Sequence, residues 1–331
     1  MNTHKAFASE LGPLIAHYLA LKEALGRRYQ VERAVLTHLD HFLAAQALEH
    51  SQLTANTFFL WVATFVHVTP SVRRNRMRIA RNLCLYRQRS EPSCFVPDPD
   101  GFPRPHQPRR PHLFTEQQIV RLLHAAVELR PTPTSPLYGE GLHLAIVLLY
   151  TSGLRRGELV RLTLEDYDVR EQTLRIRDTK FHKSRLVPLS DDAVREMNRY
   201  LLTRRQLPHP ADAPLLCTRH RGFRPYTGAG LAQGLRRLFL KAGIRTAAGR
   251  VPRIHDLRHT FALQALLRWY RAGVDIQAKL PALATYMGHA SVVSTQYYLG
   301  LLEPFAEAAS ERFACHCAPF LTANATDGGV L

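Results

Sequence analysis

The chain has 331 residues, with 44 Lys and Arg against 27 Asp and Glu and a formal charge of +17. That length accommodates two domains with sizeable cores, and the charge calls for a polyanionic partner, nucleic acid ahead of an anionic membrane surface. A bilayer span is excluded, since no apolar run approaches the roughly 20 residues needed. A secretory leader is not expected, because the first ten residues lack a continuous apolar core. Five cysteines fit a reducing cytosol better than a disulfide framework.

Residues 11–89 carry helical periodicity without strand-like alternation and predict four helices, over 9–26, 30–48, 54–67 and 70–89, punctuated by Gly26 and Pro70. In the fourth, Val72, Ile79, Leu83 and Tyr86 fall on one apolar stripe, and Arg74, Arg78 and Arg81 on another face with Arg73 beside them. Seven arginines between residues 70 and 89, with no acidic residue among them, repel one another unless an anion intervenes. Arg73, Arg74, Arg78 and Arg81 are therefore candidate contacts to a DNA backbone. Residues 91–112 contain seven prolines, which predicts an extended, semi-stiff connection with no regular element. A linker at 96–112 separates a helical domain, 1–95, from a second domain, 113–331.

The second domain opens with Thr115 as an N-cap, Gln118 three residues on, and a buried stripe of Ile119, Leu122, Leu123 and Ala126. An apolar helix follows and ends in G-L-R-R-G-E-L. There Gly153 lets the chain turn and hold Arg155 at the mouth of the core, and Glu158 suits the start of the next helix. Alternating runs at 167–169, 173–176 and 185–189 predict a small antiparallel sheet, with Lys180 and Lys183 on the hairpin between the last two. Two more helices, 191–206 and 228–242, flank an arginine-rich loop in which Arg221 suits a phosphate.

Residues 253–298 carry most of the chemistry. His255 and Arg258 share a helical face, beside a stripe of Ile254, Leu257, Phe261 and Ala265. Pro281 suits the first position of a following helix. Gly288-His289 comes next, and Tyr298 stands nine residues after His289, with Tyr297 as its neighbour. Imidazole, guanidinium, imidazole and phenol are groups that handle a phosphodiester. His259, four residues after His255, makes an H-x-x-x-H pair, but no Glu follows His255 and Arg258 would repel a cation, so no metal is assigned. Cys315-His316-Cys317 is a similarly weak metal string. Residues 301–312 read as a helix containing Leu301, Leu302, Phe305, Ala306 and Ala309, an i, i+4, i+8 stripe with Leu302 beside it, ahead of a polar, disordered end.

H-x-x-R, then Gly-His, then a tyrosine nine residues later resembles the C-terminal signature of the tyrosine recombinase (phage integrase) family. Gly153-Leu154-Arg155 with Glu158-Leu159 resembles that family's first arginine box. K-F-H-K-S-R-L-V-P-L resembles its catalytic-lysine hairpin, with Lys180 the first choice and Lys183 the fallback. The resemblance implies a mainly α fold with a small antiparallel β-sheet, a helical core-binding (SAM-like) domain preceding an α+β catalytic domain.

It also implies a chemistry. Tyr298 attacks the scissile phosphate to give a 3′-phosphotyrosyl link, and Tyr297 is the rival nucleophile. Arg155 and Arg258 hold the non-bridging oxygens, and Lys180 protonates the departing 5′-oxygen. His255 takes the tyrosine proton or tunes the site, and His289 donates a hydrogen bond to the phosphate. The covalent link keeps the ester energy, so neither cofactor nor metal is implied. The implied partner is double-stranded DNA with two recombination sites, bound by a homotetramer, alone or with related recombinases, in the cytoplasm at the nucleoid. Type IB topoisomerase-like relaxation, DNA-end resolution and a catalytically silent DNA-binding regulator are the alternatives.

Overall fold

The structure is a computed structural model that describes residues 7–27, 29–46, 52–104, 110–177, 184–207, 210, 212–219, 223–289, 291–300 and 310. The chain divides into two compact units, 1–109 and 110–331. No helix among the described residues is long and apolar enough to cross a membrane.

The first unit is built from α1 (Gly12–Ala24), α2 (Gln30–Ala44), α3 (Ala55–Ala63) and α4 (Pro70–Arg87). Local chemistry places their starts. The Thr54 and Thr69 hydroxyls cap α3 and α4, and Pro70 occupies a first-turn position where its missing N–H costs nothing. Ile15, Leu19, Leu36, Leu39, Phe58, Trp61, Ile79 and Leu83 meet in the core. Buried side chains of this size each contribute about 1.5–3 kcal/mol. The buried Asp40 carboxylate accepts hydrogen bonds from the Ala8 and Ser9 N–H groups and the Ser9 hydroxyl, fastening the start of the chain to α2.

Two expectations are corrected here. Val72 is not on the buried stripe of α4 but is 43% exposed, and Met77, Ile79, Ala80, Leu83 and Cys84 face inward. Val72 shares the helical phase of Ile79, seven residues on, but it lies in the first turn of α4, ahead of the stretch from Met77 to Cys84 that packs into the core. The proline-rich run is not free of regular structure either. Asp98 accepts the Asp100 N–H at 3.0 Å and sets a 3-10 turn at Pro99–Gly101, and Phe95, Val96 and Phe102 pack on the first core. Arg81 and Arg74 donate to the Pro97 and Pro103 carbonyls at 2.9 and 2.7 Å, holding this segment against α4.

The second unit is organised on α6 (Tyr138–Ser152), which packs against α5 (Glu116–Val127), α8 (Asp191–Arg204) and α10 (Ile254–Arg271). Buried Leu142, Leu144, Ala145, Ile146, Leu148 and Leu149 surround its axis, as a helix enclosed by others requires. Thr115 and Gln118 form the expected capping box at α5. After α7 (Arg156–Leu159) come β1 (Tyr167–Asp168), β2 (Thr173–Ile176) and β3 (Arg185–Pro188), antiparallel in the order β1-β2-β3, with Leu174 opposite Val187. A two-stranded pair, β4 (Cys217–Thr218) and β5 (Arg224–Pro225), precedes α9 (Gly228–Lys241). The unit continues with α11 (Ile276–Met287), α12 (Val293–Gln296) and a 3-10 turn at Tyr297–Gly300.

Pro281 is not at the start of its helix but inside α11. Asp275 decides the start, because its carboxylate accepts the N–H groups of Gln277 and Ala278. The predicted helix 301–312 and the polar end fall outside the described residues, save Ser310.

Candidate active site

Two glycine turns bring separate parts of the chain to one place. Gly153 ends α6 and Gly288 ends α11, both with φ in the left-handed region, +58° and +68°. A Cβ on Gly153 would stand 2.4 Å from Phe261, and one on Gly288 would stand 2.6 Å from an Arg185 nitrogen. The side chains around these turns form a connected set.

Arg258 projects from the first turns of α10 and is 1% exposed. Its guanidinium donates to the Gly153 carbonyl and, at 2.8 Å, to the Met287 carbonyl, spanning the ends of α6 and α11. Burial first, then the nearby Arg155 charge, lowers its pKa to about 10, so it stays cationic at neutral pH. Arg155, the N-cap of α7, donates to the Gly288 carbonyl at 2.6 Å and to Glu158 at 2.8 Å.

Glu158 gathers more than Arg155. Its buried carboxylate also accepts the Arg155 N–H at 2.9 Å and two bonds from Arg185 of β3, at 3.1 and 2.9 Å. Arg185 in turn donates to the Tyr286 carbonyl at 2.8 Å. Two guanidiniums thus share one carboxylate, and with the Arg258 charge nearby the cluster keeps an excess of positive charge that favours an anion.

Tyr298 lies in the closing 3-10 turn and is 2% exposed, packed with Phe261, Leu266, Leu283 and Met287. Burial raises its pKa to about 12, against the lowering pull of Arg258 and Arg155. Its phenolic oxygen lies 3.1 Å from Nδ1 of His259. Tyr297, by contrast, is 42% exposed. His289 Nδ1 is 2.7 Å from the Thr295 hydroxyl, which fixes the ring against α12. Burial, then Arg258 and Arg155, lowers the His289 pKa to about 4. His255 stands at the rim with its residue surface exposed. Burial of its inner edge, then the His259 and Arg258 charges, lowers its pKa to about 4. At neutral pH both rings are uncharged. His255 and Arg258 share a face of α10 but differ in depth, one at the rim and one in the core.

Residues 112–303 match the sequence model of the phage integrase family. The chain is 35% identical over 298 residues to an inferred integrase/recombinase, y4rB, of Sinorhizobium fredii, covering 86% of this chain and 91% of that protein. The chain belongs to the phage integrase family. Another relative, the tyrosine recombinase XerD of Rhizobium meliloti, is 32% identical over 194 residues, 58% of each chain. Among solved structures, the XerH site-specific recombinase bound to palindromic difH substrate in a post-cleavage complex superposes with a TM-score of 0.61 at 17% identity, covering 84% of this chain and 77% of that one. The Tn1549 transposon integrase in complex with transposon right-end DNA gives 0.60 at 18% identity, covering 86% and 93%. At these identities the likeness is one of fold.

For this family member, the structure therefore brings together Arg155, His255, Arg258, His289 and Tyr298, which lie up to 143 residues apart in sequence. Lys180, Lys183 and Arg221 fall outside the described residues. Arg73, Arg74, Arg78 and Arg81 lie on α4 of the first unit. Arg73 donates to the Phe65 carbonyl at 3.0 Å, Arg78 to Asn75 at 2.9 Å, and Arg78 is the exposed one of the four. Two participants were passed over as site residues from the sequence. Arg185 sits at the end of the lysine-hairpin string, and His259 sits one turn beyond His255 on the same helix; that turn-by-turn spacing was the available signal.

Proposed function

We propose that this chain cuts and rejoins DNA at specific sites through a covalent 3′-phosphotyrosyl link to Tyr298. One observation carries the reading: Arg155, Arg258, His289 and a buried Tyr298, drawn from distant stretches, meet in a cluster with excess positive charge. The hydroxyl of Tyr298 attacks phosphorus while Arg155 and Arg258 stabilise the added charge on the non-bridging oxygens. Removing one such donor typically costs about 10²–10³ in rate. His289, neutral and held by Thr295, donates its other ring N–H to the phosphate. A lysine of the β2–β3 hairpin, Lys180 or Lys183, protonates the leaving 5′-oxygen. A different 5′-hydroxyl can then re-attack the link, which is recombination.

The substrate is duplex DNA, and four copies act on two sites, since strand exchange requires a tyrosine for each strand cut. A protein charged +17 repels its own copies until DNA neutralises it. Arg73, Arg74, Arg78 and Arg81 serve the DNA backbone through the first unit, with Lys183 and Arg221 doing so from the second.

The test places paired DNA segments flanking the coding region on one plasmid and scores recombinant product, with excess EDTA in a parallel reaction. Recombinant product in both reactions is the expected result. Relaxation of a plasmid lacking any such segment, without recombinants, would contradict the reading.

A further inference from the structure

We propose that His259 accepts the phenolic proton of Tyr298 during DNA cleavage, an inference that rests on the phosphotyrosyl reading above. The geometry is direct. Nδ1 of His259 is 3.1 Å from the phenolic oxygen and the two ring centroids are 5.6 Å apart. Tyr298 is 2% exposed, so the protein must supply the acceptor from its own side chains. The resemblance gives that proton to His255. In the structure His255 stands edge-on to His259, with centroids 4.7 Å apart and planes at 83°, on the exposed side of the pair.

The surroundings suit a transient acceptor. His259 faces His255, Asp256 and Arg258 of α10, Arg253 at its cap, and Tyr297 and Tyr298 of the closing turn. Burial lowers the His259 pKa, the Asp256 carboxylate opposes this, and Arg253 and Arg258 add to it. The ring is therefore neutral at pH 7, and with its hydrogen on Nε2 it presents the Nδ1 lone pair to the phenol. In the forward step the Tyr298 O–H proton moves to Nδ1 as the tyrosine oxygen bonds to phosphorus. The bond from phosphorus to the 5′-oxygen breaks, and that oxygen takes a proton from the hairpin lysine. When a 5′-hydroxyl re-attacks, its proton returns to the hairpin lysine, and the imidazolium, disfavoured by burial and the Arg253 and Arg258 charges despite Asp256, returns its own proton to the departing Tyr298 oxygen.

The test is single-turnover cleavage of a suicide duplex, nicked beside the cleavage point, between pH 6 and 10. It compares wild type, His259→Ala, His259→Asn and His255→Ala, with duplex binding measured alongside. Trapping of DNA by wild type keeps the phosphotyrosyl reading itself in place. His259→Ala and His259→Asn should both bind DNA normally yet cleave about 10²–10⁴-fold more slowly at pH 7. Their remaining rates should climb towards tenfold per pH unit, because only ionisation by hydroxide then activates the phenol. The Asn side chain can accept the hydrogen bond but cannot keep the proton. Full rescue by Asn would reduce His259 to aiming the phenol and overturn the proposal. So would a wild-type rate and pH profile in His259→Ala, or transfer of the pH effect to His255→Ala. If His259→Ala loses DNA binding, the Asn variant alone decides. A wild type that traps no DNA would instead fail the phosphotyrosyl reading, and this assignment with it.

Discussion

Glu158→Gln removes one charge and little volume from the centre of the arginine cluster. The carboxylate is 4% exposed and takes two hydrogen bonds from Arg185 and two from Arg155. Burial by itself raises its pKa, but the Arg185 and Arg155 bonds overcome this and hold it at about 2 against an ordinary 4.5. That separation, about 2.5 pH units, corresponds to roughly 3 kcal/mol favouring the folded state. The folded value is the lower one, so the contribution is fully present above about 4.5 and is lost as pH falls through about 2. Glutamine leaves the two guanidiniums facing each other without compensation, and the loss at pH 7 should be about 3 kcal/mol, as for other broken buried ion pairs. Urea unfolding followed through Trp269, in a Trp61→Phe background, reports on the second unit. The stability gap between the parent chain and its Glu158→Gln variant should be widest at pH 7 and close as pH falls from 4.5 to 2. Equal stability at pH 7, or a gap unchanged across that range, would refute the reasoning.

Arg78→Ala should lower the slope of log K against log salt for duplex binding by up to ~0.9 without moving Tm. Arg74→Ala and Arg81→Ala should lower Tm as well, because they release the Pro103 and Pro97 carbonyls; an unchanged slope in all three would leave α4 without a phosphate role. Gly288→Ala puts a Cβ at a φ of +68° and 2.6 Å from an Arg185 nitrogen. It should cost about 1–2 kcal/mol in backbone strain and, by shifting Arg185 and Arg155, slow cleavage at least about tenfold; wild-type cleavage would count against the site geometry. Deletion from Glu303 onward should spare binding of one DNA site but impair synapsis of two, as read by gel shift and light scattering. Normal recombination by the truncated chain would leave the tail without an assembly role.

What was legible in the sequence was local. The Thr115–Gln118 box, the Pro70 start and the alternation of 173–176 depend on neighbours a few residues away, and these elements stand where such rules place them. The spacing from His255 to Tyr298 was also legible, as a pattern of residue types. Depth and partnership were not. Arg258 is sunk between two carbonyls from residues 105 and 29 positions away, and Arg185 reaches Glu158 across 27 residues. His259 read as one half of a metal-like pair until the fold carried Tyr298 to it, 39 residues on. Pro281 shows two local rules in competition. A proline favours a first turn, but Asp275 offered the stronger start, and the helix runs through the proline.

The identity of the covalent adduct is the most direct measurement. A suicide duplex is reacted with wild type, Tyr297→Phe and Tyr298→Phe, and the DNA-linked peptide is identified by mass spectrometry. Wild type and Tyr297→Phe should carry DNA on Tyr298, the buried tyrosine beside His259. Tyr298→Phe should bind the duplex and form no adduct. An adduct on Tyr297, or covalent trapping that survives in Tyr298→Phe, would contradict the assignment of Tyr298 as nucleophile.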